Sequence, residues 1–185
     1  MPTHVIYIPG LGNWNDRLRA AALNVWKLWG TPATLVPINW DDGRSMDQKM
    51  DLIQIAINAV PRGDRIVLIG ESAGATLALH TAAVDTRVSR VITLCGVAVP
   101  TTPISGELRR KSPALDQAVS TLPRHFNVDV HSVRAAVDNV VGHRYSTVAG
   151  AKRHVIWSIG HVLTITLCLT ILSPIMSGIA KSTKK

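Results

Sequence analysis

Apolar positions along this chain follow two alternating rhythms. Short apolar runs, the mark of buried strands, are separated by stretches whose apolar residues recur at helical spacing. Thr3–Ile8 opens as a buried strand and stops at Pro9-Gly10-Leu11-Gly12. Asp16–Leu28 predicts a helix with Leu18, Ala21, Ala22, Val25 and Trp26 turned inward and Gly30 as its stop. Ala33–Ile38 predicts a second strand, which Pro37 confines to the edge of a sheet or near it. After the loop Asn39–Gly43, a helix runs to Val60, with Ser45 as N-cap and Met50, Ile53, Ile57 and Val60 as its inward stripe. Ile66–Ile69 forms the core of a third strand and Thr76–Ala83 reads as the next helix. Val88–Leu94, Asn127–Val137 and His154–Ile159 complete six strands, with Gly142–Ala151 read as a loop or short helix. Strands alternating with helices predict an α/β fold: a doubly wound, mostly parallel six-stranded sheet with helices on both faces. Residues 1–185 form a single domain in this reading.

Between the third strand and its helix stands Gly70-Glu71-Ser72-Ala73-Gly74. A serine flanked two residues away by glycines, at a strand-to-helix turn, is the spelling of a nucleophile elbow. The turn is sharp enough to squeeze those flanking positions together. The serine is forced into a strained conformation with its hydroxyl raised out of the sheet, and the free N–H groups of the following helix lie behind it.

Composition narrows the picture. Hydrophobic residues make up 46% and charged residues 17% of the chain, as expected of a folded globular protein. The net charge is +8, but its basic residues fall in short scattered clusters without interleaved aromatics, so nucleic acid is not the expected partner. Cys95 and Cys168 sit in apolar runs and read as core residues. No histidine or cysteine spacing suggests a metal, so neither metal nor cofactor is expected. No basic, apolar leader precedes the first strand, and the expected compartment is the cytoplasm.

A serine needs a base, and the base an orienting carboxylate. Asp138 follows the fifth strand and His161 the sixth, in the order Ser, Asp, His. With Ile8-Pro9-Gly10-Leu11-Gly12, Gly70–Gly74, Asp138–Val141 and Gly160-His161-Val162, nearly the whole chain resembles the α/β-hydrolase family, in particular its small single-domain carboxylesterases. The resemblance implies Ser72 as nucleophile, His161 as general base and Asp138 as its orienting acid. It implies an oxyanion hole made by the N–H groups of Ala73 and Leu11. Pro9 stands where many relatives have His, which leaves Gly12 and Asn13 as alternative donors. The expected reaction is hydrolysis of short to medium acyl esters, including aliphatic polyesters, with thioester or amide cleavage available to the same machinery. A non-catalytic binding protein on the same scaffold is the alternative from another class.

The remaining residues complete the expectations. Asp129 is the competitor of Asp138 but lies within its strand, and Glu71 beside the nucleophile is read as a space-filling or orienting residue rather than the base. Trp14, Trp40 and Val97 are the expected pocket walls. Gly96–His125, with prolines at 100, 103, 113 and 123, is the stretch available to cap the site, too small for a lid domain. Val162–Ala180 is nearly uncharged and about the length of a membrane span. Lying directly after the catalytic histidine, it is expected to be a packing helix kinked at Pro174. Its surplus apolar face would dock a second subunit, as in a homodimer, or lie on a membrane.

Overall fold

The computed structural model describes residues 1–12 and 15–182. Six strands, β1 (Thr3–Ile8), β2 (Ala33–Leu35), β3 (Arg65–Glu71), β4 (Val88–Leu94), β5 (Asp129–Val137) and β6 (Lys152–Ile159), form one sheet in the order β2-β1-β3-β4-β5-β6. Every pairing is parallel. The expected α/β architecture is therefore present, and its sheet is parallel throughout. β2 takes an edge, as Pro37 requires, and is cut to three residues.

The helices are α1 (Asp16–Val25), α2 (Met46–Ala59), α3 (Gly74–Val84), α4 (Gly106–Lys111), α5 (Pro113–Ser120), α6 (His161–Leu169) and α7 (Ser173–Lys181). The core falls into two clusters, one per face of the sheet. Ile53, Ile57, Leu77, Leu115 and Val119 pack on one face through α2, α3 and α5. Leu23, Trp26, Ile165, Cys168 and Met176 pack on the other through α1, α6 and α7. Ser45 caps α2 as expected: its hydroxyl accepts from the Gln48 N–H at 3.2 Å, and the Gln48 side chain accepts from the Ser45 N–H at 3.0 Å. This reciprocal pair is the capping box.

Three expectations need correction. The inward face of α1 is Arg19 and Leu23, whereas Leu18 is 70% exposed and Val25 faces solvent too. The helix ends at Val25 and continues through Leu28 as a 3-10 turn (Trp26–Trp29), so its apolar residues do not keep one α-helical stripe. The segment 96–125 is not a cap. Its α5 packs against α2 and α3, with Ala114, Leu115, Ala118 and Val119 buried in that core. Finally, 162–180 is two helices, α6 and α7, bent by 74° at a break before Pro174, which serves as an early position of α7. Among the described residues no single helix is long and apolar enough to cross a membrane. Ser173 and Ser177 are buried against the Trp26–Trp29 turn: the Trp29 indole donates to Ser173 Oγ at 3.1 Å, and Ser177 Oγ donates to the Trp29 carbonyl at 3.2 Å.

Because all strands point one way, the loops after them gather at one edge. Register brings Ile8 level with Gly70, and Gly70 level with Thr93. Farther out, Val137 lies beside Ile159. The residues just past these strand ends are the ones the sequence singled out.

Candidate active site

Ser72 follows β3 with φ 49°, in the left-handed region that an L-residue occupies only under constraint. Three backbone bonds hold it there. Its N–H donates to the Leu94 carbonyl at 2.9 Å, while its carbonyl accepts from Val97 at 3.0 Å and Ala75 at 3.2 Å. The flanking glycines are demanded by contact. A Cβ on Gly70 would run into the Ala75 backbone, and one on Gly74 into the Ile8 and Pro9 carbonyls. The β1 loop is equally close on the other side, since a Cβ on Gly10 would come within 2.8 Å of Ser72 Cβ.

Asp138 and His161 meet beside this turn. The His161 ring Nδ1 lies 2.9 Å from Asp138 Oδ2 and 3.1 Å from Oδ1. Two further donors, the N–H groups of Val140 and Val141, reach Asp138 Oδ1 at 2.8 and 2.9 Å. Burial works to raise the Asp138 pKa, but the His161 ring and the two backbone donors outweigh it, so the carboxyl sits below its usual range. The ring is fixed from its backbone as well, because the His161 N–H donates to Asn139 Oδ1 at 3.2 Å. With Nδ1 engaged by the carboxylate, Nε2 is the nitrogen left for the cavity. Ser72 and His161 both line that cavity, and no direct hydrogen bond joins their side chains among the described residues. Apo sites commonly hold this contact loose. Asp129 lies at the start of β5, at the far end of the sheet, paired with Arg90. The structure brings Asp138, and not Asp129, to the His161 ring.

The cavity has a volume of about 420 Å³. Its polar lining comprises Ser72, His161, Arg19 and Glu71 together with Asn15, Thr166 and Thr170, and Leu11, Leu18, Val140, Val162 and Ile165 contribute much of the apolar remainder. The N–H groups of Leu11 and Ala73 have no hydrogen-bond acceptor among the described residues. Backbone donors without an acceptor are what an oxyanion hole requires.

Two expected pocket walls are elsewhere. Trp40 is 3% exposed in the core on the α2 face, where its indole donates to the Pro9 carbonyl at 3.2 Å. Val97 is buried in the same core and acts through its backbone, on the Ser72 carbonyl. Trp14 and the alternative donor Asn13 lie outside the described residues.

The feature that sequence reasoning missed is a buried polar network under Ser72. Glu71 accepts from Tyr7 OH at 2.6 Å and from Arg19 at 2.8 Å (Nε) and 2.5 Å (Nη2). Arg19 Nη1 donates onward to the Gly12 carbonyl and to Asp16, both at 2.9 Å. One guanidinium therefore ties the residue before Ser72 to the residue after Leu11. Burial, followed by the neighbouring Glu71 charge, lifts the Tyr7 pKa well above its ordinary value, so Tyr7 stays a neutral donor. The signal available in the sequence was an arginine on an otherwise apolar helix face.

Among the described residues one set could hold a metal: Cys95, Asp138 and His161, whose ligand atoms lie within 4.8 Å of one another. Burial, then the Asp138 charge, pushes the Cys95 thiol up to about 12, so it faces the carboxylate protonated. A metal would need the thiolate. The donor set suits hydrogen bonding to Asp138 better than coordination.

No protein-family model and no curated protein matches the sequence. Solved structures do resemble it. The bottromycin epimerase BotH, in complex with bottromycin A2, aligns with a TM-score of 0.66 at 14% identity, over 97% of this chain and 91% of that one. A methylesterase from Arabidopsis aligns with a TM-score of 0.65 at 14% identity, over 96% of this chain and 99% of that one. A metagenomic carboxyl esterase aligns with a TM-score of 0.57 at 18% identity, over 74% of this chain; the chain spans half of that protein's length. At these identities the likeness is one of fold, and the same fold carries both ester hydrolysis and epimerisation in those proteins.

Proposed function

We propose that this chain, which has the α/β-hydrolase fold, hydrolyses carboxylic esters through an acyl-enzyme on Ser72. The observation that carries the reading is the meeting of three groups from three strand ends. Ser72 is raised at a left-handed turn, and it shares one cavity with an imidazole whose Nδ1 is held by Asp138. In this reading His161 Nε2 takes the Ser72 proton as Oγ bonds to the acyl carbon. The carbonyl oxygen becomes an oxyanion and accepts from the Leu11 and Ala73 N–H groups. The tetrahedral adduct collapses, the C–O bond breaks, and the alcohol leaves with the proton from His161. Water then repeats the sequence on the acyl-enzyme, giving up a proton to His161, and releases the acid and Ser72. Asp138 stabilises the imidazolium in each half.

The largely apolar wall suits a short to medium acyl chain. No residue of 96–125 lines the cavity, which leaves room for bulky or polymeric alcohol portions. Thioesters and amides place the same demands on these residues and are the neighbouring substrates to compare.

The test is hydrolysis of nitrophenyl esters from acetate to dodecanoate by the wild type and Ser72→Ala, with a fluorophosphonate label as a second readout. The expected result is labelling of the wild type alone and a loss of activity of about 10⁴-fold or more in the variant. A folded wild type that neither turns over nor labels would point instead to a binding protein on this scaffold. Wild-type activity in Ser72→Ala would remove Ser72 as nucleophile.

A further inference from the structure

The connection from β5 to β6, residues 138–151, contains only a 3-10 turn, His143–Tyr145. Parallel strands are normally joined through a helix that covers one face of the sheet. Here that cover is missing, and the outer strands are left open on the face where Val130 joins the α2, α3 and α5 core. Arg134 is two alternations along β5 from Val130, on that same face. Arg153 stands beside Ser132 in the β6 register, also on that face.

A cavity of about 770 Å³ occupies the space. Arg124, Arg134, His143, Arg144 and Arg153 line it, and no aspartate or glutamate does. It shares no lining residue with the Ser72 cavity. Elsewhere in the chain Arg19, Arg44, Arg90 and Arg109 form ion pairs with nearby carboxylates. Among the described residues none of the four arginines of this cavity does. The head of Arg134 is held instead by the Ala135 carbonyl, to which Nη1 donates at 3.1 Å, and it stands 3.3 Å from a ring nitrogen of His143. Between the basic groups, Pro100, Phe126 and Val148 supply an apolar surface.

Like charges gathered in one concavity repel one another and attract a multivalent counter-ion. A guanidinium fork meets two anionic oxygens at once, and a phosphate offers three oxygens and up to two charges to several forks where a single carboxylate offers two oxygens and one charge. The apolar surface adds a place for an organic body. We propose that this cavity binds an organic phosphate carrying at least two phosphate charges. The proposal rests on the β5–β6 face alone and is independent of the reaction assigned to Ser72.

The experiment is isothermal titration of the full chain with inorganic phosphate, pyrophosphate and adenosine diphosphate at matched ionic strength. Phosphatidylcholine vesicles with and without phosphatidylinositol bisphosphate form a separate arm. Pyrophosphate and the nucleotide should bind more tightly than inorganic phosphate. Arg134→Gln/Arg153→Gln should weaken binding by about tenfold for each guanidinium lost. Arg109→Gln/Arg110→Gln removes the same net charge away from the cavity and should leave binding unchanged. Circular dichroism and unfolding midpoints without ligand establish that both variants are folded. Binding of the nucleotide in the soluble arm identifies a free phosphate ester as the ligand, and binding confined to the phosphoinositide vesicles identifies a lipid headgroup. Equal losses in the two double variants, or no binding in either arm, would overturn the proposal.

Discussion

Replacing Arg19 by Met removes the centre of the network under Ser72 while keeping a long apolar stem in place. In the wild type, the Glu71 side chain is 4% exposed and the Arg19 side chain 7%, so both charges depend on each other rather than on water. Arg19→Met strips Glu71 of two donors and leaves it the Tyr7 hydroxyl. Breaking a buried pair from one side costs about 3–5 kcal/mol, because an uncompensated charge stays behind. For a chain of this size that corresponds to a fall in Tm of roughly 6–20 °C. Urea unfolding at pH 7, followed by tryptophan fluorescence, measures it directly. The second arm is Arg19→Met/Glu71→Gln, which removes the stranded charge and should recover most of the loss. The same single variant frees the Gly12 carbonyl, so the loop carrying Leu11 loses a brace, and ester turnover should fall through kcat more than KM. A loss below about 1 kcal/mol would refute the reasoning, since buried-pair disruption is the whole of the argument. So would a double variant no more stable than the single one.

Two further outcomes follow from the fold. Gly74→Ala replaces a weak helix former by the best one, which alone would stabilise α3 by about 1 kcal/mol. The added Cβ meets the Ile8 and Pro9 carbonyls, so the expected sign is reversed, with a net loss of about 1–3 kcal/mol on denaturant unfolding. A more stable variant would contradict the close approach of β1 to the elbow. Stability should also fall as pH drops below about 6.5. Burial is the largest cause holding His131 and His154 below their ordinary pKa. Arg90 and Lys152 add to it, and Asp129 opposes it at His131. Depressed native pKa values mean that the unfolded chain binds more protons in that window. Stability is therefore full above the unfolded value and is lost as pH falls through the native ones. The rings stack with centroids 5.1 Å apart, and His131→Gln should flatten the profile measured by urea unfolding between pH 7.5 and 5. An unchanged slope in that variant would reject the pair as its source.

What was legible in the sequence is what backbone geometry writes in residue types. Glycine at 70 and 74 is required because backbone passes where a side chain would stand, and that requirement is visible without knowing which backbone it is. The strand ends that carry Asp138 and His161 were readable for a similar reason: apolar runs stop where the chain leaves the sheet. Which way a side chain faces was harder. Trp40 sits in a stretch spelled like a loop, yet the loop folds under Pro9 and buries the indole. The segment 96–125, with its prolines and polar middle, suggested a cap over the site, but Pro113 begins a helix whose apolar face fills the core. The apolar run 162–180 carried the total hydrophobicity of one long helix; Pro174 marked where it is interrupted, but nothing local set the 74° turn that splits it into two helices.

Arg19 shows why such errors concentrate near a site. Its partners are Glu71, 52 residues away, and through Glu71 the phenol of Tyr7, 64 residues from that carboxylate. Helical periodicity sums contributions within one turn or two, so it ranks Leu18 above Arg19 as the inward residue. The carboxylate reverses that ranking because leaving it unpaired in the core would cost more than exposing a leucine, about 3–5 kcal/mol against about 1.5–3. The sheet places Glu71 in the interior by the same turn that lifts Ser72 out of it. A buried charge is thus a consequence of an acidic residue at that position of the elbow, and a cation from some other element must answer it. α1, which follows the β1 loop directly, is the nearest element able to supply one. In doing so Arg19 also fixes the Gly12 carbonyl and with it the loop that carries Leu11.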